Sequence, residues 1–206
     1  MQVNNISALN FKSKINIVSP KYYDAVIRTM ERDLEYQNIF RWFLSDNSKY
    51  PKAFNAYRKN SKLVSTEEIR SCTAGFWVNA KEKLAKLACH IYDSEESIEK
   101  VSFLKPFIKG TNGLLVGARE QYKDSFPLFE KLLDYAKDGA IPMTIMKGLK
   151  GMWEAEVAYD ATGDEFYLCI KDIQYNKRYV KSEEEFKDAF EEIIISPTDT
   201  IEFVAK

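Results

Sequence analysis

The run MWEAEVAYDATGDEFYLCIKD, residues 152–172, constrains the fold more than any other stretch of the chain. Trp153, Ala155 and Val157 alternate with Glu154 and Glu156, ATGD suits a tight turn, and a second apolar-rich run follows it. That pattern predicts an antiparallel hairpin with an apolar face to cover and a solvated face carrying the two glutamates. Further strand-like runs are INIVS (15–19), TAGFWVNA (73–80), GLLVGA (113–118), IPMTIMKG (141–148) and IIISPTDTIEFVA (193–205).

Helical patterns lie between them. Ser19 and Pro20 suit an N-cap and first position for PKYYDAVIRTMERDLEY (20–36), where Tyr23, Val26, Ile27, Met30 and Leu34 make one apolar face. DSFPLFEKLLDYAKDG (124–139) buries Phe129, Leu132, Leu133 and Ala136 and stops at Gly139, and Ser182 with Glu185 forms a capping box. Asp93 with Glu96, or Ser94 with Ser97, can cap a helix running to about Ile108, and residues 38–62 read as short helices and a loop broken at Pro51. Trp42, Trp77 and Trp153 read as core and rim residues, and the aromatic stretch 36–57 as the same, as a partner-binding surface or as a lid over the pocket. The order of elements predicts a loose tail over residues 1–13 and one α+β domain over 14–206, or a sandwich with helical flanks.

Composition narrows the function classes. With 45% hydrophobic and 30% charged residues the 206-residue chain has neither a disordered nor a membrane-spanning bias, so no membrane insertion is expected. A net charge of −1, with lysines interleaved with acids, argues against a nucleic-acid partner. Cys72, Cys89 and Cys169 are irregularly spaced, which disfavours a disulfide framework, and one histidine without a Cys-x-x-Cys pair is too few soft ligands for zinc. No basic stretch followed by an apolar run opens the chain, so the cytoplasm is the expected compartment and the Asn5-Ile6-Ser7 sequon is idle. The alternative is an effector secreted without a signal peptide.

The only histidine, His90, lies eighteen residues after Cys72. Two periods compete between them. Leu84, Leu87, Ala88 and Ile91 fit a helix over residues 80–92, whereas Leu87, Cys89 and Ile91 fit a strand. In the strand reading, Ala80, Lys81 and Glu82 form a three-residue hairpin loop, Asn79 faces Lys83, and Cys72 stands directly opposite His90 on the same face. A thiol and an imidazole so placed make a nucleophile and its base. Thr66, six residues before Cys72, can return to put a hydroxyl or carbonyl on the remaining ring nitrogen and fix the tautomer, or can instead cap a helix with Glu68 or Ile69. Cys89 and Cys169 sit in apolar alternation and read as core.

The run Thr66…Ser71-Cys72…His90 resembles the active-site region of the bacterial chemoreceptor glutamine deamidases, the CheD family, and of related glutamine-deamidating toxins. The resemblance spans about Ser65 to Asp172 and includes a strand ending in a small-residue pair, here Gly117-Ala118, then helix, strand, glycine-bearing link and hairpin. It implies an α+β fold with a β-sandwich-like mixed-sheet core flanked by helices, to which the N-terminal helical segment is extra. It also implies a cysteine-dependent amidohydrolase converting glutamine to glutamate on a protein substrate. Cys72 would be the nucleophile, His90 the acid and base, and Thr66 its orienter, with backbone near Ser71 and Thr73 forming the oxyanion pocket and no metal or organic cofactor. One departure stands out: Arg70 and Ser71 precede Cys72 where the family carries glycine, and Gly75 comes three residues later. The competing readings are a non-catalytic protein-binding module on the same fold and a thiol peptidase or acyltransferase using the same pair.

Overall fold

Alternating strands of this kind bury one face by stacking a second sheet upon it, and that is what the chain does. The computed structural model describes residues 13–40, 55–92, 98, 101–108, 111–119, 126–175 and 178–204. The first sheet is built from β1 (Lys14–Val18), β2 (Tyr36–Asn38), β4 (Leu63–Ile69), β9 (Trp153–Asp160), β10 (Glu165–Asp172) and β12 (Thr200–Val204), in the order β12-β1-β10-β9-β4-β2. The second contains β3 (Asn55–Ser61), β5 (Thr73–Asn79), β6 (Leu84–Ile91), β7 (Asn112–Arg119), β8 (Met143–Leu149) and β11 (Phe190–Ile194), in the order β11-β8-β7-β5-β6-β3. Both sheets are mixed: β1 runs parallel to β10 and β12, and β7 runs parallel to β8, amid otherwise mostly antiparallel pairs.

Three apolar layers follow from the period-two alternation. Phe76, Val78 and Val116 of the second sheet meet Val157, Tyr159 and Phe166 of the first between the sheets. Trp77, Leu115 and Ile91 face the other way, under helix α2 (Phe126–Asp138) and a short 3-10 helix (Val101–Phe107). Ala158 and Cys169 on the outer face of the first sheet are covered by Tyr23, Ile27 and Met30 of helix α1 (Pro20–Met30). The chain is thus α+β, with helices on both outer faces of a pair of mixed sheets. No helix among the described residues is long and apolar enough to cross a membrane.

The hairpin of residues 152–172 forms as expected, with Asp160 paired to Glu165 across the turn. Ser19 caps α1 by accepting the Tyr22 N–H, and Ser182 caps helix α3 (Glu183–Asp188) by accepting the Glu185 N–H. Elsewhere the structure departs from the sequence reading. Helix α1 stops at Met30, and Leu34, expected on its apolar face, is fully exposed. Residues 55–61 are a strand, not part of a helical stretch; Trp42, Pro51 and the rest of 41–54 lie outside the described residues, as do the caps at 93–97 and residues 1–12 of the expected tail, whereas Ser13, its last residue, is buried and donates to Asp164. Residues 84–91 are a strand, so the helical reading of 80–92 fails.

The largest correction concerns Glu154 and Glu156. Alternation put them on the outer face correctly, but that face is not solvated: both are buried. Arg70 Nε donates to Glu154 Oε2, and Lys171 Nζ reaches Glu154 and donates to Glu156. Carboxylates taken out of water need such partners. Removing Glu154 leaves Arg70 and Lys171 facing each other without their shared anion. Glu154→Ala is therefore expected to cost about 1–3 kcal/mol in urea unfolding, below the full buried-pair penalty because Arg70 keeps contact with solvent.

Candidate functional site

β4 belongs to one sheet and β5 to the other, so residues 70–72 carry the chain across the sandwich. Two one-residue irregularities decide what faces inward there. In β4 the pairing with β9 shifts between Thr66 and Ile69, and Glu68 has φ +56°. This bulge lets Thr66 and Ile69, an odd number of residues apart, both face the other sheet. In β6 the pairing with β5 shifts where Trp77 faces Leu87 but Val78 faces Ala85, leaving Lys86 as the extra residue.

The register differs from the expected one for this reason. The loop holds four residues, Ala80 to Lys83, with Lys83 at φ +50°, and Asn79 faces Leu84 rather than Lys83. That slip alone would turn His90 to the other face. The bulge at Lys86 adds a second slip and restores it. Ala74, not Cys72, is the residue directly opposite His90. Cys72 lies two residues before Ala74, in the bend just ahead of β5. Its carbonyl accepts the Ala118 N–H at 3.1 Å, which extends the β5–β7 ladder by one residue beyond the Thr73–Gly117 pair.

His90 is fully buried between the sheets. Thr66 Oγ1 lies 2.6 Å from His90 Nδ1, so the hydroxyl orients the ring from the opposite sheet, as the spacing suggested. Thr66 is in a strand and caps no helix. Tyr23 of α1 donates a long hydrogen bond of 3.5 Å to the Thr66 carbonyl, and the Phe40 ring centroid stands 5.5 Å from that of His90. Burial pushes the His90 pKa down from 6.5 to about 3, so the imidazole is neutral at pH 7.

The cysteines divide clearly. Cys72 is partly exposed, whereas Cys89 and Cys169 are buried, as their alternation indicated, and none forms a disulfide. Burial pushes the Cys89 thiol up to about 12 and raises that of Cys169 as well, so neither supplies thiolate at neutral pH. Ser71 is half-buried in the crossing beside Cys72. Thr73 is buried, and strand alternation turns its side chain to the face of Trp77, away from His90. Its hydroxyl has no hydrogen-bond partner among the described residues. No group of three His, Cys, Asp or Glu side chains among the described residues is disposed to hold a metal ion.

Sequence reasoning singled out Gly117-Ala118 as a small-residue pair without giving the reason for it. Gly117 has φ +139°, and a Cβ there would come within 2.2 Å of the Cys72 carbonyl oxygen and 2.8 Å of the Thr73 Cα. Only glycine permits this approach. The contributions of Phe40, Tyr23 and the Glu68 bulge had no signal in the local pattern.

Two outcomes follow. Gly117→Ala is expected to lose about 1–3 kcal/mol in denaturant unfolding from backbone strain alone, and to change the alkylation rate of Cys72. As for pH, unfolded His90 binds its proton near 6.5 while the folded ring resists until about 3, so wild type loses stability as pH falls through that window. Thermal melts should show a shallower loss in His90→Gln than in wild type over the same range. Outside the geometry, no protein-family model and no curated protein matches the chain.

Proposed function

We propose that the protein is a cysteine-dependent amidohydrolase, a protein glutamine deamidase in which Cys72 is the nucleophile, His90 the general base and acid, and Thr66 the positioning residue. The supporting observation is the 2.6 Å contact between Thr66 Oγ1 and His90 Nδ1, made on a ring whose cross-strand partner, Ala74, comes two residues after Cys72. For His90 to receive a proton on Nε2, Nδ1–H donates to the threonine oxygen, a role the hydroxyl accommodates. Resemblance to the chemoreceptor glutamine deamidases agrees in residue order, although the glycine that family places before its cysteine is absent.

The chemistry balances without a cofactor. The Cys72 thiol gives its proton to neutral His90, and the sulfur attacks the carboxamide carbon, forming a C–S bond. Backbone N–H groups near Ser71 and Thr73 receive the oxyanion. The C–N bond breaks as His90 returns the proton to nitrogen and ammonia leaves. Water, giving its proton to His90, then cleaves the thioester to glutamate and free thiol. A buried imidazolium is costly alone, so its formation is coupled to that of the thiolate, whose opposite charge offsets the cost.

The test has two parts. Iodoacetamide at neutral pH should modify Cys72 well ahead of Cys89 and Cys169, with the preference lost in His90→Ala. Incubated with glutamine-bearing proteins, the wild type should release ammonia and raise substrate mass by the amide-to-acid difference without cutting the chain. His90→Ala should slow this about 10²–10⁴-fold, and Thr66→Val less. Uniform slow alkylation with no ammonia release would remove the enzymatic reading in favour of a binding module, and chain cleavage would make the protein a peptidase.

A further inference from the structure

On one side of the sandwich each sheet ends in an edge strand: β12 in the first and β11 in the second. A groove of about 550 Å³ opens between them. Its floor is apolar, with Phe186 of α3 packed edge-on against Phe190 and Phe203, and Ile201 beside them. At its mouth Ile195 is 47% exposed, next to Ile194 at 46%. Along one side of each edge strand no other strand of the described residues pairs, so backbone donors and acceptors are available for an added strand.

We propose that this groove docks an extended segment of another protein, one carrying apolar side chains flanked by lysine or arginine. The charge of the lining selects that occupant: Glu183, Glu191 and Asp199 stand against Lys187 alone. Lys187 is already paired with Glu183, so the remaining field is negative. A second copy of this chain is disfavoured as well, because β11 carries Glu191 and Glu192 in succession and pairing it with its duplicate would bring these carboxylates near one another. Apolar side chains supply affinity in the floor, and the flanking cations set orientation and partner choice. The proposal stands apart from the cysteine site and does not depend on its chemistry.

The probe is a fluorescein-labelled peptide of alternating isoleucine and serine bracketed by lysine pairs, compared with one bracketed by glutamate pairs. Fluorescence anisotropy should show saturable binding of the lysine peptide, weakened about tenfold in high salt, and none of the glutamate peptide. Ile195→Lys and Glu191→Lys, both at exposed positions, should each reduce binding while circular dichroism stays unchanged. Absence of binding, equal binding of both peptides, or indifference to both substitutions would overturn the proposal. So would light scattering that finds a dimer dispersed by Ile195→Lys, since the occupant would then be a second copy.

Discussion

A short polar contact crosses the apolar interior between the sheets: Thr66 Oγ1 to His90 Nδ1 at 2.6 Å. A buried imidazole without a partner costs on the order of 1–3 kcal/mol, and this hydroxyl offsets part of that cost. The contact also fixes how the two sheets sit at that point, because a hydrogen bond tolerates far less sliding than the apolar packing of Phe76, Val157 and Phe166 around it. Tyr23, reaching through from the outer face to the Thr66 carbonyl, adds the helix α1 to the same chain of support.

That contact exists only because the strands break their own alternation. Without the extra residue in β4, Thr66 and Ile69 would face opposite ways; without the one in β6, the four-residue loop would turn His90 toward α2. Each irregularity costs ladder hydrogen bonds. What they secure is a polar pair and its apolar neighbours on one surface, next to a cysteine at the crossing between sheets. Bulges concentrate at such places because they re-aim a side chain without moving the strand.

How far this was legible follows from what each pattern encodes. Alternation reports which side a residue faces, so the 152–172 hairpin, the buried Cys89 and Cys169, and the inward set of β9 could be read directly. It does not report what covers that side, which is why Glu154 and Glu156 looked solvated although Arg70 and Lys171 enclose them. Caps are local, so Ser19 and Ser182 were recognisable from a few residues. A bulge is a property of two strands together, and neither Glu68 nor Lys86 carries a mark of it. Cys72 was expected opposite His90 from a loop one residue too short; the four-residue loop and the extra residue in β6 set Ala74 there instead.

The placement of β1 bears on how the molecule assembles. This strand, near the beginning of the chain, is parallel to β10 on one side and β12 on the other, and its Asn16 side chain bonds the carbonyl of Phe166, 150 residues later. On a ribosome adding about 5–20 residues per second, β1 waits roughly 8–30 s before its first neighbour is made. Until then an apolar strand has no template, and it is the segment a chaperone would have most reason to hold.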